Sequence, residues 1–204
     1  MFLEGLHTFA DFQQVDQHEG LQTLYIVRHC KAEGQSAEAP LTAEGCYQAQ
    51  RLSSWLSDYS IDYIVSSPYI RAVQTLKPYA EKMNKTIYTD EGLAERVLSG
   101  EDRADWLQCL KRTFDEPDIC YPGGESSRQA TGRIVTVITE LLKLRHGSYL
   151  VAAHGNIISL LLKHYDERIG FEHWKRLSNP DVYRITFFKG LYQDMERIWS
   201  ELQS

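Results

Sequence analysis

With 204 residues, 43% of them hydrophobic and 25% charged, the chain has the length and balance of one globular domain with a full apolar core. Its formal net charge of -6 excludes a global basic field of the kind that gathers nucleic acid or anionic membrane, so an anionic ligand has to be held by a local positive cluster. No apolar run approaches the ~20 residues of a membrane helix, and Cys30, Cys46, Cys109 and Cys120 show neither CxxC pairing nor zinc-type spacing, the pattern of reduced thiols in a cytoplasmic protein.

Residues 1–20 are polar, without periodicity and without the basic flank and apolar core of a signal peptide; they read as an N-terminal extension, either a flexible lead or a short strand and helix. The first strand is the apolar run Leu24-Tyr25-Ile26-Val27, which ends on Arg28-His29. A small-residue loop, Lys31 to Pro40, follows. Thr42 opens a helix with Ala49, Leu52 and Leu56 on one face. Tyr63-Ile64-Val65 is a short strand. Ser67-Pro68 starts a helix, with Ser as cap and Pro in the first turn, and Ala72, Thr75, Leu76 and Tyr79 as its buried stripe. Thr86-Ile87-Tyr88 is another strand. Residues 90–125 are irregular apart from one short helix around Arg103 to Thr113. Ser126-Ser127-Arg128-Gln129 has capping-box form and begins a long helix through Leu144. Tyr149 to Ala153 is a strand that runs into His154-Gly155, and a helix from Asn156 through Leu162 comes next. Val182 to Phe188 and Tyr192 to Trp199, joined by Lys189-Gly190, form a closing hairpin. This alternation predicts one α/β domain over residues 1–204, layered on a mainly parallel sheet, with no repeat or linker to divide it.

Two of these strands end in a histidine, and ligand sites of open α/β sheets lie at the carboxyl edge. Phosphoryl transfer needs an in-line nucleophile, fixed positive groups for the equatorial oxygens and an acid for the leaving oxygen. Arg28 and His29 follow the first strand. Arg71 lies in the first turn of the next helix, whose N-terminus adds oriented positive charge. Glu95 sits in the irregular segment, where Glu91 and Glu101 compete with it as acid. His154 closes a strand, and Gly155 offers an unhindered backbone N–H.

The ordered set resembles the histidine phosphatase superfamily, the phosphoglycerate mutase-like family. Leu24-Tyr25-Ile26-Val27-Arg28-His29 is similar to its strand followed by RHG. Pro40-Leu41-Thr42-Ala43-Glu44-Gly45 with Gln48-Ala49 resembles LTxxGxxQA, and Ser66 to Thr75 resembles SSPxxRAxQT. Leu93-Ala94-Glu95, Gly124-Glu125-Ser126, Ala153-His154-Gly155 and the late Asn179 resemble LxE, GES, SHG and the family's Asn, all in order between about residues 24 and 180. The resemblance implies a three-layer α/β/α sandwich. It implies that His29 is the nucleophile and becomes phosphohistidine, that Arg28, Arg71 and His154 bind the phosphoryl oxygens, and that Glu95 is general acid, then base. It implies no metal and no other cofactor, and a small phosphorylated substrate as partner.

Cys30 stands for the glycine of RHG, Ala32 for a common Ser or Thr, and Gln35 for a phosphate-contacting Asn, one methylene longer. The short loop from His29 to Leu41 favours a phosphatase over a mutase. The expectation is therefore a metal-independent phosphomonoester hydrolase. Its alternatives are a phosphoglycerate mutase primed by a bisphosphorylated activator, or a phosphate-binding regulatory module with little turnover. Oligomeric state stays open, a homodimer through the closing hairpin being one option. Glu125 is expected to anchor the long helix, Lys31 to lie on the surface or face the pocket, and Trp55, Trp106, Trp174 and Trp199 to pack in the core or a lid, Trp106 alternatively bordering the substrate. Cys30 raises a redox-switch reading, against the simpler one of a small packed side chain. His7, His18, His146, His164 and His173 show no ligand spacing.

Overall fold

The computed structural model describes residues 7–8, 20–144 and 147–200; the N-terminal extension otherwise lies outside the described residues. The strands are β1 (His7–Thr8), β2 (Leu21–Arg28), β3 (Tyr63–Ser66), β4 (Ile87–Thr89), β5 (Gly147–Ala153), β6 (Asp181–Phe188) and β7 (Leu191–Ser200). They form one sheet in the order β1-β4-β3-β5-β2-β6-β7. The pairs from β1 through β2 are parallel, and the β6–β7 hairpin adds antiparallel to β2.

Alternation along β2 shows why the sheet is covered on both faces. Leu24 and Ile26 pack with helices α4 (Ser127–Leu144) and α5 (Gly155–Tyr165). Tyr25 and Val27 pack with α1 (Ala43–Leu56) and α2 (Ile70–Lys82). A strand buried on both sides needs a continuous apolar run, which is what this segment supplies. The three-layer α/β/α sandwich with a mainly parallel sheet is thereby established. Two shorter helices, α3 (Trp106–Asp115) and α6 (Phe171–Lys175), flank the α4/α5 layer. No helix among the described residues is long and apolar enough to cross a membrane.

The capping box forms as expected: Gln129 N–H donates to Ser126 Oγ (3.1 Å), and Ser126 N–H donates to Gln129 Oε1 (2.9 Å). The hairpin turn also forms, with Lys189 and Gly190 both at positive φ, the geometry of a primed two-residue turn. Two helix starts differ from expectation, and one helix was not expected. Helix α2 starts at Ile70 rather than Ser67-Pro68, because Tyr69 is still extended and Ser67 Oγ closes a local turn on the Tyr69 N–H (3.3 Å). Helix α3 starts at Trp106 because Arg103 spends its guanidinium on Asp105 (3.0 Å for each bond). Helix α6 carried no recognised start signal, its N-cap position being Gly170.

The motif residues around the first loop are structural. Thr42 Oγ1 caps α1 by accepting from Gly45 N–H (2.9 Å). A Cβ on Gly45 would lie 2.0 Å from the Lys31 carbonyl oxygen, so only glycine lets α1 press on the segment after His29. Gln48 accepts from Lys31 N–H (2.9 Å), Gln74 from Leu41 N–H (2.8 Å), and Thr75 Oγ1 from Cys30 N–H (2.9 Å). Side chains of two helices thus fix the loop's backbone.

Candidate active site

The register of the sheet brings the two histidines together. Arg28 is opposite Ala153, and His29 N–H donates to the Ala153 carbonyl (3.1 Å). His29 and His154 therefore leave adjacent parallel strands at the same edge, with ring centroids 5.1 Å apart. The next strand over contributes Ser67, whose N–H donates to Ala152 O (2.8 Å).

The tautomer of His29 follows from its partners. Nδ1 is 2.7 Å from the Cys30 carbonyl oxygen, which only accepts, so Nδ1 carries the proton. Nε2 is left with a lone pair, and Arg71 Nε–H points at it from 3.2 Å. Burial pushes the imidazole down to about 3, opposed by the Cys30 carbonyl and aided by the Arg71 and Arg28 charges. His29 is thus a neutral base at physiological pH. Asn179 Nδ2 donates to the His29 carbonyl (2.6 Å) and holds the backbone from the other side.

His154 is wholly buried, with Nε2 2.7 Å from Ser67 Oγ. Ser67 Oγ–H has no other acceptor among the described residues, so its proton is assigned to His154 Nε2, and Nδ1 becomes an N–H donor. Burial first, then His29 and the arginines, depress its pKa well below that of a free imidazole. Arg28 is anchored through Nη1 on the Leu177 carbonyl (2.9 Å), and Arg71 through Nη1 on Ser36 O (2.6 Å). Arg71 also lies 4.8 Å over the Tyr69 ring, and that ring meets His154 edge-on at 4.8 Å.

Three buried polar groups at this edge have no protein partner: Arg28 Nε, His154 Nδ1 and the side-chain amide of Asn156. A buried orphan costs about 1–3 kcal/mol, so a group of them marks a place built for a polar ligand. With the first turn of α5, they supply polar groups of the kind that hold a tetrahedral anion. A Cβ on Gly155 would come 3.2 Å from Arg28 Nε, which keeps that position small.

Glu95 completes the set. Its carboxylate accepts from Asn156 N–H and Ile157 N–H, both 3.0 Å, at the N-terminus of α5. Arg133 clamps the preceding turn, donating from Nη1 to Gly92 O and Ala94 O (2.8 Å each) while forking onto Glu125 (2.8 and 2.9 Å). Glu91 and Glu101 are exposed, so of the three carboxylates only Glu95 is fixed against α5.

The structure therefore gathers Arg28, His29, Arg71, Glu95, His154 and Gly155. Gln35 is exposed on the loop, one residue from the Ser36 carbonyl that anchors Arg71. Lys31 lies on the surface, paired with Glu44. Cys30 is fully buried against Leu41 and Ala49. Glu125 precedes α4 and is neutralised by Arg133. Sequence reasoning missed Ser67, Tyr69, Asn156 and Arg133 as parts of the site. Ser67 and Tyr69 stood inside the recognised motif and Asn156 directly after it; Arg133 carried no local signal.

A neutral buried histidine, ringed by fixed cations and faced by a carboxylate, defines a pocket for phosphate chemistry. The chain belongs to the histidine phosphatase superfamily (branch 1), whose family model matches residues 24–194. It is 30% identical over 195 residues to the 2,3-bisphosphoglycerate-dependent phosphoglycerate mutase of Rhizobium etli, covering 81% of this chain and 91% of that one. It is 29% identical over 133 residues to the uncharacterized phosphatase PhoE of Bacillus subtilis, covering 65% of this chain and 67% of that one. The fold matches mycobacterial glucosyl-3-phosphoglycerate phosphatase with a TM-score of 0.69 at 19% identity, over 88% of this chain and 99% of that one. Both phosphatases and mutases thus stand among its relatives.

Proposed function

We propose that the protein is a metal-independent phosphomonoester hydrolase that works through a phosphohistidine on His29. The observation that carries this reading is the fixed tautomer of His29: Nδ1 is tied to the Cys30 carbonyl at 2.7 Å, and Nε2 is the free base among Arg28, Arg71 and His154. Nε2 attacks phosphorus in line, and the bond to the ester oxygen breaks. Glu95, protonated, delivers its proton to that oxygen, and the alcohol leaves. The Arg28 and Arg71 guanidinium groups, His154 Nδ1–H and the Gly155 N–H hold the equatorial oxygens as charge redistributes. The Glu95 carboxylate then takes a proton from water, the water oxygen attacks phosphorus, and the P–N bond breaks. Phosphate departs, and the lone pair returns to His29.

The test is hydrolysis of p-nitrophenyl phosphate with EDTA present, comparing wild type with His29→Ala. Wild-type turnover that vanishes in the variant is expected; turnover that survives in the variant ends the assignment of the nucleophile. The mutase reading has its own support in the Rhizobium relative, whose name states that activity. It requires 3- to 2-phosphoglycerate interconversion, primed by 2,3-bisphosphoglycerate, to outpace hydrolysis.

A further inference from the structure

Beyond the phosphate pocket the structure opens into two adjoining cavities that share Val97. The first, about 460 Å³, is bounded by Tyr69 and Glu95 and therefore receives whatever is attached to a phosphoryl group on His29. The second, about 560 Å³, runs past Leu98 and Ala104 to Trp106. Their walls have two properties. Val97 and Trp106 give them an apolar surface, each being about half exposed (48% and 49%). Trp106 is steadied edge-on by Trp174, with ring centroids 6.3 Å apart.

Their charge is also one-sided. Arg133 in the first cavity is forked onto Glu125, and Arg103 in the second is forked onto Asp105 and lies 4.9 Å over the Tyr121 ring. Both cations are spent. Glu91 in the first cavity and Glu101 and Asp102 in the second have no ion-pair partner among the described residues. A substrate whose alcohol half carries its own carboxylate or phosphate would meet these acids without a free cation to receive it.

We infer that the alcohol half of the substrate is uncharged or cationic and presents an apolar or aromatic face to Val97 and Trp106, and that a second acid group is selected against. This deepens the hydrolase reading and rests on it.

Three esters on one phenol frame separate the terms: 4-ethylphenyl phosphate, O-phosphotyramine and the phosphate ester of 4-hydroxyphenylacetate. In each, saturated carbon insulates the added group from the ester oxygen, so leaving-group chemistry is closely matched. The expected order of kcat/KM is ammonium at or above ethyl, with the carboxylate about tenfold lower. The gap should shrink with added salt, because exposed charges are screened. In the triple variant Glu91→Gln, Glu101→Gln, Asp102→Asn the ratio of carboxylate to ethyl ester kcat/KM should rise about tenfold, to near one. A carboxylate ester turned over as fast as the ethyl ester, or a gap untouched by the triple variant, overturns the inference. If p-nitrophenyl phosphate hydrolysis still depends on His29 in that case, the hydrolase reading survives alone. No hydrolysis of any ester removes both.

Discussion

Replacing Arg133 with alanine tests whether Glu95 is held in place by a residue whose hydrogen bonds all go to the protein. Arg133 makes four hydrogen bonds: two to the Glu125 carboxylate and two to the carbonyls of Gly92 and Ala94, the latter directly before Glu95. The two ion-paired side chains are about a quarter exposed, at 25% and 24%. Breaking a fully buried pair costs about 3–5 kcal/mol and a surface pair about 0–1, so an intermediate loss of about 2 kcal/mol is expected in urea unfolding. The catalytic effect is separate from that loss. A carboxyl displaced by roughly 1 Å can cost about 100-fold. The loss should fall on substrates that need a proton on departure. Kcat/KM reports phosphoryl transfer to His29, so it should drop about 100-fold for an alkyl phosphate and only a few-fold for p-nitrophenyl phosphate, whose phenolate leaves without help. Arg133→Lys keeps the charge but not the fork and should recover little. Equal losses on both substrates, or a loss of stability with kcat/KM intact, would refute a positioning role.

Three further outcomes follow from the same geometry. Arg197→Ala strands Asp181, a carboxylate only 1% exposed whose Oδ1 accepts from Arg197 Nε at 2.8 Å, and should cost about 3–5 kcal/mol at pH 7. Burial already pushes the Asp181 carboxyl up, so without the cation it takes a proton more readily, and the stability gap to wild type should narrow as pH falls; a gap independent of pH contradicts this. Gly155→Ala places a methyl 3.2 Å from Arg28 Nε, so the inhibition constant of inorganic phosphate should rise about tenfold with a stability change under about 1 kcal/mol; an unchanged constant removes Arg28 from the phosphate pocket. His29 titrates near 3 in the fold against about 6.5 in the unfolded chain, so between those values the unfolded chain binds the extra proton and stability falls with pH. By pH 4.5 the wild type should have lost roughly 2–3 kcal/mol relative to pH 7 that His29→Asn does not lose, and identical pH dependence of the two in urea would show that His29 is not held neutral.

The candidate side chains Arg28, His29, Arg71 and His154 were legible because each sits at an apolar strand's end or in a helix's first turn, where local pattern and position coincide; Glu95, in an irregular segment, was legible only through the resemblance of Leu93-Ala94-Glu95 to LxE. The apolar runs before Arg28-His29 and His154-Gly155 identified both strands, and their parallel pairing brought the histidines together. Long-range contacts were not legible. Nothing near Arg133 in sequence indicates that it grips residues 41 and 39 positions earlier, and nothing near Arg28 indicates a carbonyl acceptor 149 positions later. The late start of α2 escaped because Ser-Pro is a cap signal in isolation, whereas here Ser67 is drawn to His154 and the backbone stays extended through Tyr69. The commitment of Arg103 to Asp105 shortened α3 by the same kind of competition.

The departure at Cys30 illustrates what the site demands of its scaffold. The position after His29 supplies one carbonyl oxygen, aimed at His29 Nδ1, and one N–H, received by Thr75. Both are backbone groups. The thiol side chain is packed with Leu41 and Ala49, in the space that α1 leaves beneath the loop. A glycine there is consequently dispensable as long as the backbone is held by other means. Gln48, Gln74 and Thr75 hold it, each accepting a loop N–H. Gly45 cannot be relaxed in the same way, because its missing side chain is what admits the Lys31 carbonyl. The burial that makes Cys30 harmless also removes it from oxidants, since a thiol with no exposed surface offers peroxide no approach. Burial also keeps His29 neutral, the state the proposed phosphohistidine route requires. One packing arrangement thus shields the cysteine and prepares the histidine beside it.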